Sequence, residues 1–265
     1  MGPIGIITGS GTYSLPGLEA SAAEPVTTPF GEAMLSEGRF AGADVLHVAR
    51  HGDGHRRISS QVTHQANISA LAAGGASAVL GVTVCGSLDP EIELGSLIVF
   101  DDLHFLANRL PDGSICTLHT EPGAAGRGHW IFDGPFSAPL REALLGGADA
   151  AGLSARDGGC YGHVDGPRFN TRAELRGLRA CGVTAVSQTA GPEAVLCGEA
   201  KLPYALLGYA TDYANGVTDE PTPVEELIRL VGASTASFAR TLAAAVPMIA
   251  AAGPAEPTGT HFSWD

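Results

Sequence analysis

The chain has 265 residues, 45% of them hydrophobic, which suits one large α/β domain or two small ones, and we expect a single domain over residues 1–265. Its formal net charge is −13, with only 15 lysines and arginines. This balance argues against a nucleic acid or an anionic membrane surface as partner, because either would require a basic face.

The cysteines and the N-terminus indicate a cytoplasmic protein. The cysteines are odd in number and scattered, with no C-x-x-C pair and no histidine spacing typical of zinc, so we expect reduced thiols and no metal site. They are Cys85, Cys116, Cys160, Cys181 and Cys197. The opening residues, MGPIGIITGSG, lack the basic and long apolar regions of a signal peptide. No window reaches about 18 uninterrupted apolar residues, so we expect no membrane span.

Short apolar runs with glycine or polar ends predict the strands of a central sheet. They lie at residues 4–8, 44–49, 77–84, 96–100, 183–187 and 204–210. Runs of this length without strict alternation are typical of strands covered on both faces. Helical patterns occur at 63–75, at 192–201 and, most clearly, at 224–245. This order of elements predicts an α/β fold with a mixed, largely parallel central sheet flanked by helices.

Two segments show neither the strand period nor the helix period. Residues 107–136 are rich in glycine, proline and polar side chains, and we expect a long irregular loop there. A loop of that length in a compact domain is usually functional or mobile. Residues from about 253 to 265 are predicted to form a frayed tail.

Polar turns follow four of the predicted strands, at the edge where ligands gather in α/β folds. TGSG supplies Ser10, ARHG supplies Arg50 and His51, VTVCG supplies Thr83, and SQTAGPE supplies Thr189. Glycine-rich turns, hydroxyls and an arginine fork are all suited to binding an oxyanion. Each turn alone is also consistent with an ordinary tight turn or a solvated surface pair. The four together favour a convergent anion pocket.

Two residues outside these turns carry chemistry of their own. Phe169 lies in GHVDGPRFNTRAE, between a predicted strand and helix, where its ring could stack on a flat ligand or cap the core. Asp212 stands where the apolar stretch YALLGYAT ends. A carboxylate at the mouth of a buried strand is costly to desolvate unless it has a partner.

Eight motifs occur in a fixed order between residue 4 and about residue 249. They are IGIITGSG, TPFG, ARHG, QANISAL, VCGSL, DGPRFNTRAE, TAGPEAVL and ATDY. Together they resemble the methylthioadenosine phosphorylase branch of the trimeric purine nucleoside phosphorylase family. The resemblance implies phosphorolysis of an adenine-type nucleoside, preferably 5′-methylthioadenosine, giving free purine and a pentose 1-phosphate. It also implies inorganic phosphate as co-substrate, no metal or organic cofactor, and a homotrimer.

The same resemblance implies a role for each site residue. The phosphate-binding residues are Ser10, Arg50, His51, Thr83 and Thr189. The nucleoside-binding residues are Val84 near the ribose and base, Phe169 stacked on the purine, Gln188 at the ribose hydroxyls, Val224 at the 5′ end, and His129 lent by a neighbouring subunit. Asp212 is the catalytic residue: in its protonated form it donates to N7 of the leaving purine and also binds the 6-amino edge.

The sequence departs from the family pattern at three positions. The second carboxylate near the base is replaced by Ala214, Gln188 stands where methionine is usual, and His64 stands where tyrosine is usual. These changes concern recognition of the base and sugar more than the reaction. We expect His64 to be a core histidine with satisfied ring nitrogens, with an altered sugar contact as the alternative.

Two alternative functions follow from these departures. The first is a purine nucleoside phosphorylase for another nucleoside, with a 6-oxopurine or an unusual sugar, in a specialised pathway. The second is a catalytically weak nucleoside-binding protein. The intact set of phosphate residues argues against the second, because a protein that only binds nucleosides has no need of a phosphate site.

Overall fold

All six apolar runs predicted as strands form strands, and the three predicted helices are present. The computed structural model describes residues 2–264. Its strands are β1 (Ile4–Thr8), β2 (Glu19–Ala20), β3 (Glu24–Thr28), β4 (Gly31–Phe40), β5 (Ala43–Ala49), β6 (Ala78–Ser87), β7 (Leu97–Val99), β8 (Asp102–His104), β9 (Gly128–Ile131), β10 (Ala155–Asp157), β11 (Cys160–His163), β12 (Val183–Ser187), β13 (Tyr204–Tyr213) and β14 (Thr260–Ser263). Its helices are α1 (His64–Ala73), α2 (Ala138–Ala150), α3 (Arg172–Ala180), α4 (Ala190–Glu199) and α5 (Val224–Ala252).

Twelve strands form one mixed sheet, which confirms the predicted fold class. Its central path runs β10-β7-β13-β6-β1-β5-β4-β2. The middle strands β13, β6, β1 and β5 are parallel, whereas β7, β4 and β12 join them in antiparallel pairs. Every residue of β1 is buried, as expected of a parallel strand covered on both faces.

Helices pack on both faces of the sheet. Side chains alternate along β1, so that Ile7 joins Leu71 of α1 in one core. Ile6 points to the other face and joins Leu144 of α2 and Phe238 of α5 in a second core. Each fully buried aliphatic side chain contributes about 1.5–3 kcal/mol relative to an exposed one, so these two cores fix the sheet between its helices.

The C-terminal helix α5 begins where the sequence predicts and continues to Ala252. Glu225 and Glu226 in its first turn interact favourably with the helix dipole. Among the described helices it is the one whose length and hydropathy would also allow it to cross a membrane. Its buried residues, including Phe238 and Leu242, pack against the sheet and α2, as in the core helix of a globular domain.

The predicted frayed tail is wrong, and the predicted irregular loop is wrong in part. Strand β14 in the tail pairs antiparallel with β9 in the loop, and we call this pair the β9–β14 ribbon. Trp130 of β9 packs its ring on Gly198 of α4, where a Cβ would overlap the ring. Its Nε1 donates to the Thr258 carbonyl at 2.6 Å. The two strands are short and mostly exposed, so neither shows a hydrophobic pattern in the sequence.

Candidate active site

One cavity of about 320 Å³ lies at the carboxyl ends of β1, β5, β6, β12 and β13. This edge of the sheet is where α/β folds bind ligands. Helix α5 closes one side with Leu227 and Val231, and the loop before α3 contributes Phe169 and Asn170. The cavity is therefore built by elements from the whole length of the chain.

All but two of the predicted site residues line this cavity. Those that line it are Ser10, Arg50, His51, Thr83, Val84, Phe169, Gln188, Thr189, Asp212 and Ala214. Val224 is 69% exposed at the start of α5, and Leu227 and Val231 on the same helix line the cavity instead. His129 lies exposed on the β9–β14 ribbon and does not line the cavity of its own chain.

Most of the hydrogen bonds of Arg50 go to other protein groups, whereas the sequence suggests an arginine whose guanidinium binds an anion. Its side chain is 1% exposed, and Nε and Nη2 donate to the two carboxylate oxygens of Glu193 at 2.6 and 2.8 Å. Nη1 donates to the Val82 carbonyl at 2.7 Å. Burial alone would lower the pKa of Arg50, but the charge and hydrogen bonds of Glu193 raise it above its usual value. The arginine is therefore a charged member of a buried ion pair and not a solvated surface residue.

The predicted hydroxyls of Ser10, Thr83 and Thr189 all line the cavity. Thr83 Oγ1 lies 3.0 Å from Ser187 Oγ and donates to the Val84 carbonyl at 3.1 Å. Thr189 is the residue before α4, so its hydroxyl lies at the positive end of that helix. The hydroxyl oxygen of Tyr161 accepts from the backbone N–H of Thr189 and of the next residue, at 3.4 and 3.1 Å. These two N–H groups are therefore occupied, and the hydroxyls of Ser10, Thr83 and Thr189, which all line the cavity, are the groups suited to an oxyanion.

Two stacked histidines complete this side of the cavity. His51 Nδ1 lies 2.8 Å from the Arg57 carbonyl, which can only accept, so Nδ1 carries the proton and Nε2 is available to a ligand. The ring of His55 stacks on the ring of His51 with 4.3 Å between centroids. The Nδ1 atom of His55 lies 2.9 Å from the Tyr13 hydroxyl. Burial, followed by the charge of Arg50, lowers the pKa of His51 to about 4. His51 is therefore neutral in the unliganded protein at neutral pH.

Among residues 2–264, one carboxylate oxygen of Asp212 has a hydrogen-bond partner and the other has none. The Thr211 hydroxyl donates to Oδ1 at 2.9 Å, and within residues 2–264 no hydrogen-bond donor reaches Oδ2. The Asp212 side chain is buried, which raises its pKa although the Thr211 hydrogen bond opposes this. Gly86 of β6 passes close by, since a Cβ there would lie 3.0 Å from Oδ2. A carboxyl held in this way can keep a proton and donate it to a ligand.

The remaining wall holds a fixed amide and an exposed ring. The Ser59 hydroxyl donates to Gln188 Oε1 at 2.9 Å, and Gln188 Nε2 donates to the Arg168 carbonyl at 3.0 Å. Asn215 Nδ2 donates to the Asn170 carbonyl at 2.8 Å, which ties the loop before α3 to the end of β13. Phe169 is 63% exposed at the mouth, so its ring does not cap the core and is free to contact a ligand.

Sequence reasoning missed several cavity residues. His55, Ser59, Asn170 and Asn215 all line the cavity, and each lies close in the sequence to one of the motifs. His55 is brought back over His51 by glycines with positive φ at Gly52 and Gly54, and the glycine spacing in ARHGDGH is a signal for such a turn. Nothing in the sequence signals that Ser59 would reach Gln188.

The expectation of a satisfied His64 is wrong. His64 is 2% exposed at the start of α1, and neither ring nitrogen has a hydrogen-bond partner among residues 2–264. Burial, with the nearby His163, lowers its pKa well below the usual value, so the ring is neutral. It does not line the cavity, so the alternative of a direct sugar contact has no geometric support.

The buried neutral histidines predict acid sensitivity. Burial lowers the pKa of His47 to about 4, although Asp53 opposes this, and that of His163 to about 3. Each is protonated in the unfolded chain below about pH 6.5 but not in the folded one, so stability is complete above pH 6.5 and lost as pH falls toward 4. His47 alone should cost about 3 kcal/mol by pH 4.

Urea unfolding at pH 7.5 and pH 4.5, in buffers without phosphate, measures this loss. A His47→Gln variant serves as the comparison, because glutamine can still bond the Thr8 hydroxyl that lies 2.8 Å from His47 Nε2. It should lose less stability than the parent between the two pH values. Equal unfolding midpoints for the parent at both pH values would contradict the prediction.

Comparisons with known proteins agree with this architecture. The model of the phosphorylase superfamily matches residues 3–247. The chain is 32% identical over 250 residues to the 6-oxopurine nucleoside phosphorylase of Pyrococcus furiosus, covering 93% of this chain and 92% of that protein. It is 34% identical over 247 residues to the S-methyl-5′-thioadenosine phosphorylase of Bradyrhizobium diazoefficiens, covering 91% and 81%.

The fold is shared with a solved nucleoside phosphorylase. The structure of methylthioadenosine phosphorylase from Schistosoma mansoni in complex with adenine superposes with a TM-score of 0.86 at 27% identity, covering 95% of this chain and 92% of that one. Relatives with the methylthioadenosine name and relatives with the 6-oxopurine name are similarly close in sequence. The family resemblance seen in the ordered motifs is confirmed: the chain belongs to the phosphorylase superfamily.

Proposed function

We propose that the protein is a pentosyltransferase that cleaves an adenine-type nucleoside with inorganic phosphate, preferably 5′-methylthioadenosine. The products are the free purine and a pentose 1-phosphate. One observation carries the proposal: a single cavity brings together a set of hydroxyl groups suited to an oxyanion and a buried carboxyl suited to hold a proton. Phosphorolysis needs both, and a simple nucleoside-binding protein needs only the second.

Each half of the site has a separate task in this reaction. Breaking the C1′–N9 bond leaves positive charge on the sugar and negative charge on the departing purine. Phosphate held by Ser10, Thr83 and Thr189 stabilises the first and attacks C1′. Asp212 donates its proton, or a strong hydrogen bond, to N7 and so stabilises the second. Phe169 packs on the purine face and holds it in the mouth.

The sugar and its 5′ group would lie against mixed polar and apolar walls. Gln188 is already bonded through one oxygen lone pair and one N–H, so it has one further N–H to offer a ribose hydroxyl. Val84 lines the cavity beside it. Leu227 and Val231 of α5, with Ile58, form an apolar wall suited to a methylthio group. No metal or organic cofactor has a part in this proposal.

The oligomeric state belongs to the same proposal. His129 lies on the exposed β9–β14 ribbon beside Phe262 and Trp264, which are 49% and 58% exposed. Phe169 of the cavity lining is an exposed apolar residue, and so is Ile228 of α5, which follows the cavity residue Leu227. The exposed apolar ribbon of one subunit suits the exposed apolar residues of a neighbour across a heterologous interface, and such an interface forms a ring when the rotation between subunits closes. We propose a cytoplasmic homotrimer in which His129 reaches a neighbour's site.

Light scattering combined with activity measurements tests the trimer. We expect a mass three times that of the chain, and we expect His129→Ala to weaken apparent nucleoside binding in steady-state assays while leaving the mass unchanged. The exposed position of His129 means that its replacement should not affect the fold. A fully active monomer would contradict both the assembly and the role of His129.

A second substrate class is favoured by one observation. Ala214 lines the base end of the cavity where a second carboxylate would anchor a 6-amino group, and the Pyrococcus furiosus relative is named for 6-oxopurine nucleosides. A 6-oxopurine nucleoside is therefore the alternative substrate. Both alternatives share the phosphate site and differ only in the base.

Release of free base from a nucleoside panel tests the proposed function. The panel contains 5′-methylthioadenosine, adenosine, inosine and guanosine, each with and without phosphate. We expect release that depends on phosphate and is fastest with 5′-methylthioadenosine. Fastest release from inosine would move the assignment to the 6-oxopurine class. Binding of nucleosides without phosphate-dependent release would show a protein that binds but does not turn over.

A further inference from the structure

The buried ion pair of Arg50 and Glu193 lies at the cavity wall, which Arg50 lines and Glu193 does not. Both side chains are 1% exposed, and the arginine uses Nε, Nη1 and Nη2 on protein acceptors. The hydroxyl of Tyr204 donates to Glu193 Oε2 at 3.0 Å and so satisfies the carboxylate further. Three of the five guanidinium N–H groups are therefore held by protein acceptors, which leaves two for a ligand in the cavity that Arg50 lines.

Each neighbour of this guanidinium is close in the sequence to a residue that carries a phosphate-site hydroxyl. Val82, which accepts from Nη1, precedes Thr83. Glu193 lies in the first turn of α4, the helix that begins directly after Thr189. Gly9 precedes Ser10 and touches the guanidinium so closely that a Cβ at that position would overlap Nη1. Arg50 thus contacts strand β6 beside Thr83 and two turns, one after β1 and one after β12.

The planar guanidinium can hold those turns only if its own orientation is fixed. Two parallel hydrogen bonds to one carboxylate fix the plane, and no other acceptor among residues 2–264 bonds Nε. Glu193 is in turn fixed by its helix and by Tyr204. The geometry points to Glu193 as a positioning residue for phosphate: through Arg50 it holds Ser10, Thr83 and Thr189 so that their hydroxyls converge on one anion.

This inference rests on the proposed phosphate site and names how that site is organised. A control residue is needed to distinguish a positioning role of Glu193 from a purely structural one. Glu199 provides the matched control, since it lies on the same helix and accepts from the Thr117 hydroxyl and the Leu118 backbone N–H at 3.0 and 2.6 Å, away from the cavity.

Calorimetric titration of the parent and of Glu193→Gln with inorganic phosphate, and separately with adenine, tests the inference. Glutamine keeps the shape of the side chain but turns an N–H toward the donors of Arg50. We expect the Kd for phosphate to rise about tenfold or more and the Kd for adenine to change by less than about twofold. In steady-state assays the KM for phosphate should rise with that for the nucleoside unchanged. Glu199→Gln should leave both dissociation constants unchanged.

A second variant covers the case in which Glu193→Gln does not fold. Tyr204→Phe removes only the hydroxyl that fixes Glu193, and it should raise the phosphate Kd by about two- to fivefold with the adenine Kd unchanged. Unaltered phosphate binding in a folded Glu193→Gln or in Tyr204→Phe would overturn the inference while leaving the proposed function intact. Equal weakening of phosphate and adenine would also overturn it. Failure of the parent to bind phosphate would overturn the proposed function and this inference together.

Discussion

Replacing Arg50 with alanine is expected to lower the free energy of unfolding by about 3–5 kcal/mol, because it leaves Glu193 charged, buried and unpaired. The role that the family resemblance implies for Arg50 adds a second expected result, weaker binding of phosphate. Both consequences should now appear together. Urea unfolding at pH 7.5 measures the first, and calorimetric titration with phosphate measures the second.

A compensated variant separates stability from function. Replacing Arg50 with methionine, Glu193 with leucine and Tyr204 with phenylalanine removes the whole buried polar network at once, including the hydroxyl that would lose its acceptor. Apolar residues of similar volume often replace a buried ion pair without loss. This variant should therefore recover most of the stability lost in Arg50→Ala yet still bind phosphate poorly. An Arg50→Ala protein that unfolds at the same urea concentration as the parent would contradict the argument.

The sequence predicts the fold and the turns of the site because those signals are local. A parallel strand buried on both faces is a continuous apolar run, and a turn that carries ligands is a glycine next to a polar residue at its end. Helix α2 carries a signal of the same local kind, since Leu140, Leu144 and Ala148 follow each other at four-residue steps. The polar hydroxyls and Asp212 are likewise predictable because each lies at or near the end of an apolar run.

The rest of the site depends on contacts between residues that are far apart in the sequence. Glu193 occurs in GPEAVL as an ordinary acidic residue in the first turn of a helix, a position where acids are common for reasons of the helix dipole. Only the packing of α4 against β6 and β13 places it against an arginine 143 residues earlier. The pairing of β9 with β14 joins two short exposed strands in the same non-local manner. Such partners leave no periodic trace in the sequence.

Base recognition is expected to depend most strongly on Asp212. A protonated carboxyl can donate to N7 and accept from a 6-amino group, whereas a 6-oxo group presents a second acceptor to it. Adenine nucleosides should therefore be favoured in the parent. The preference should be weaker than in a site with two carboxylates, because Ala214 offers no second acceptor. Matched kcat/KM values for adenosine and inosine measure this preference.

Asp212→Asn tests the assignment directly, because an amide has a donor that can meet O6 and N7 but no proton to transfer to the leaving purine. We expect kcat/KM for adenosine to fall by about 10²–10⁴-fold and the adenosine-to-inosine ratio to move toward inosine. Ala214→Asp serves as the opposite change at a neighbouring cavity position: a second acceptor near the 6-amino edge should raise the adenosine-to-inosine ratio. Two results would contradict this assignment: a parent that already prefers inosine, or an Asp212→Asn variant in which kcat/KM falls equally for adenosine and inosine. In either case Asp212 supports turnover without selecting the base, and the 6-oxopurine alternative is favoured.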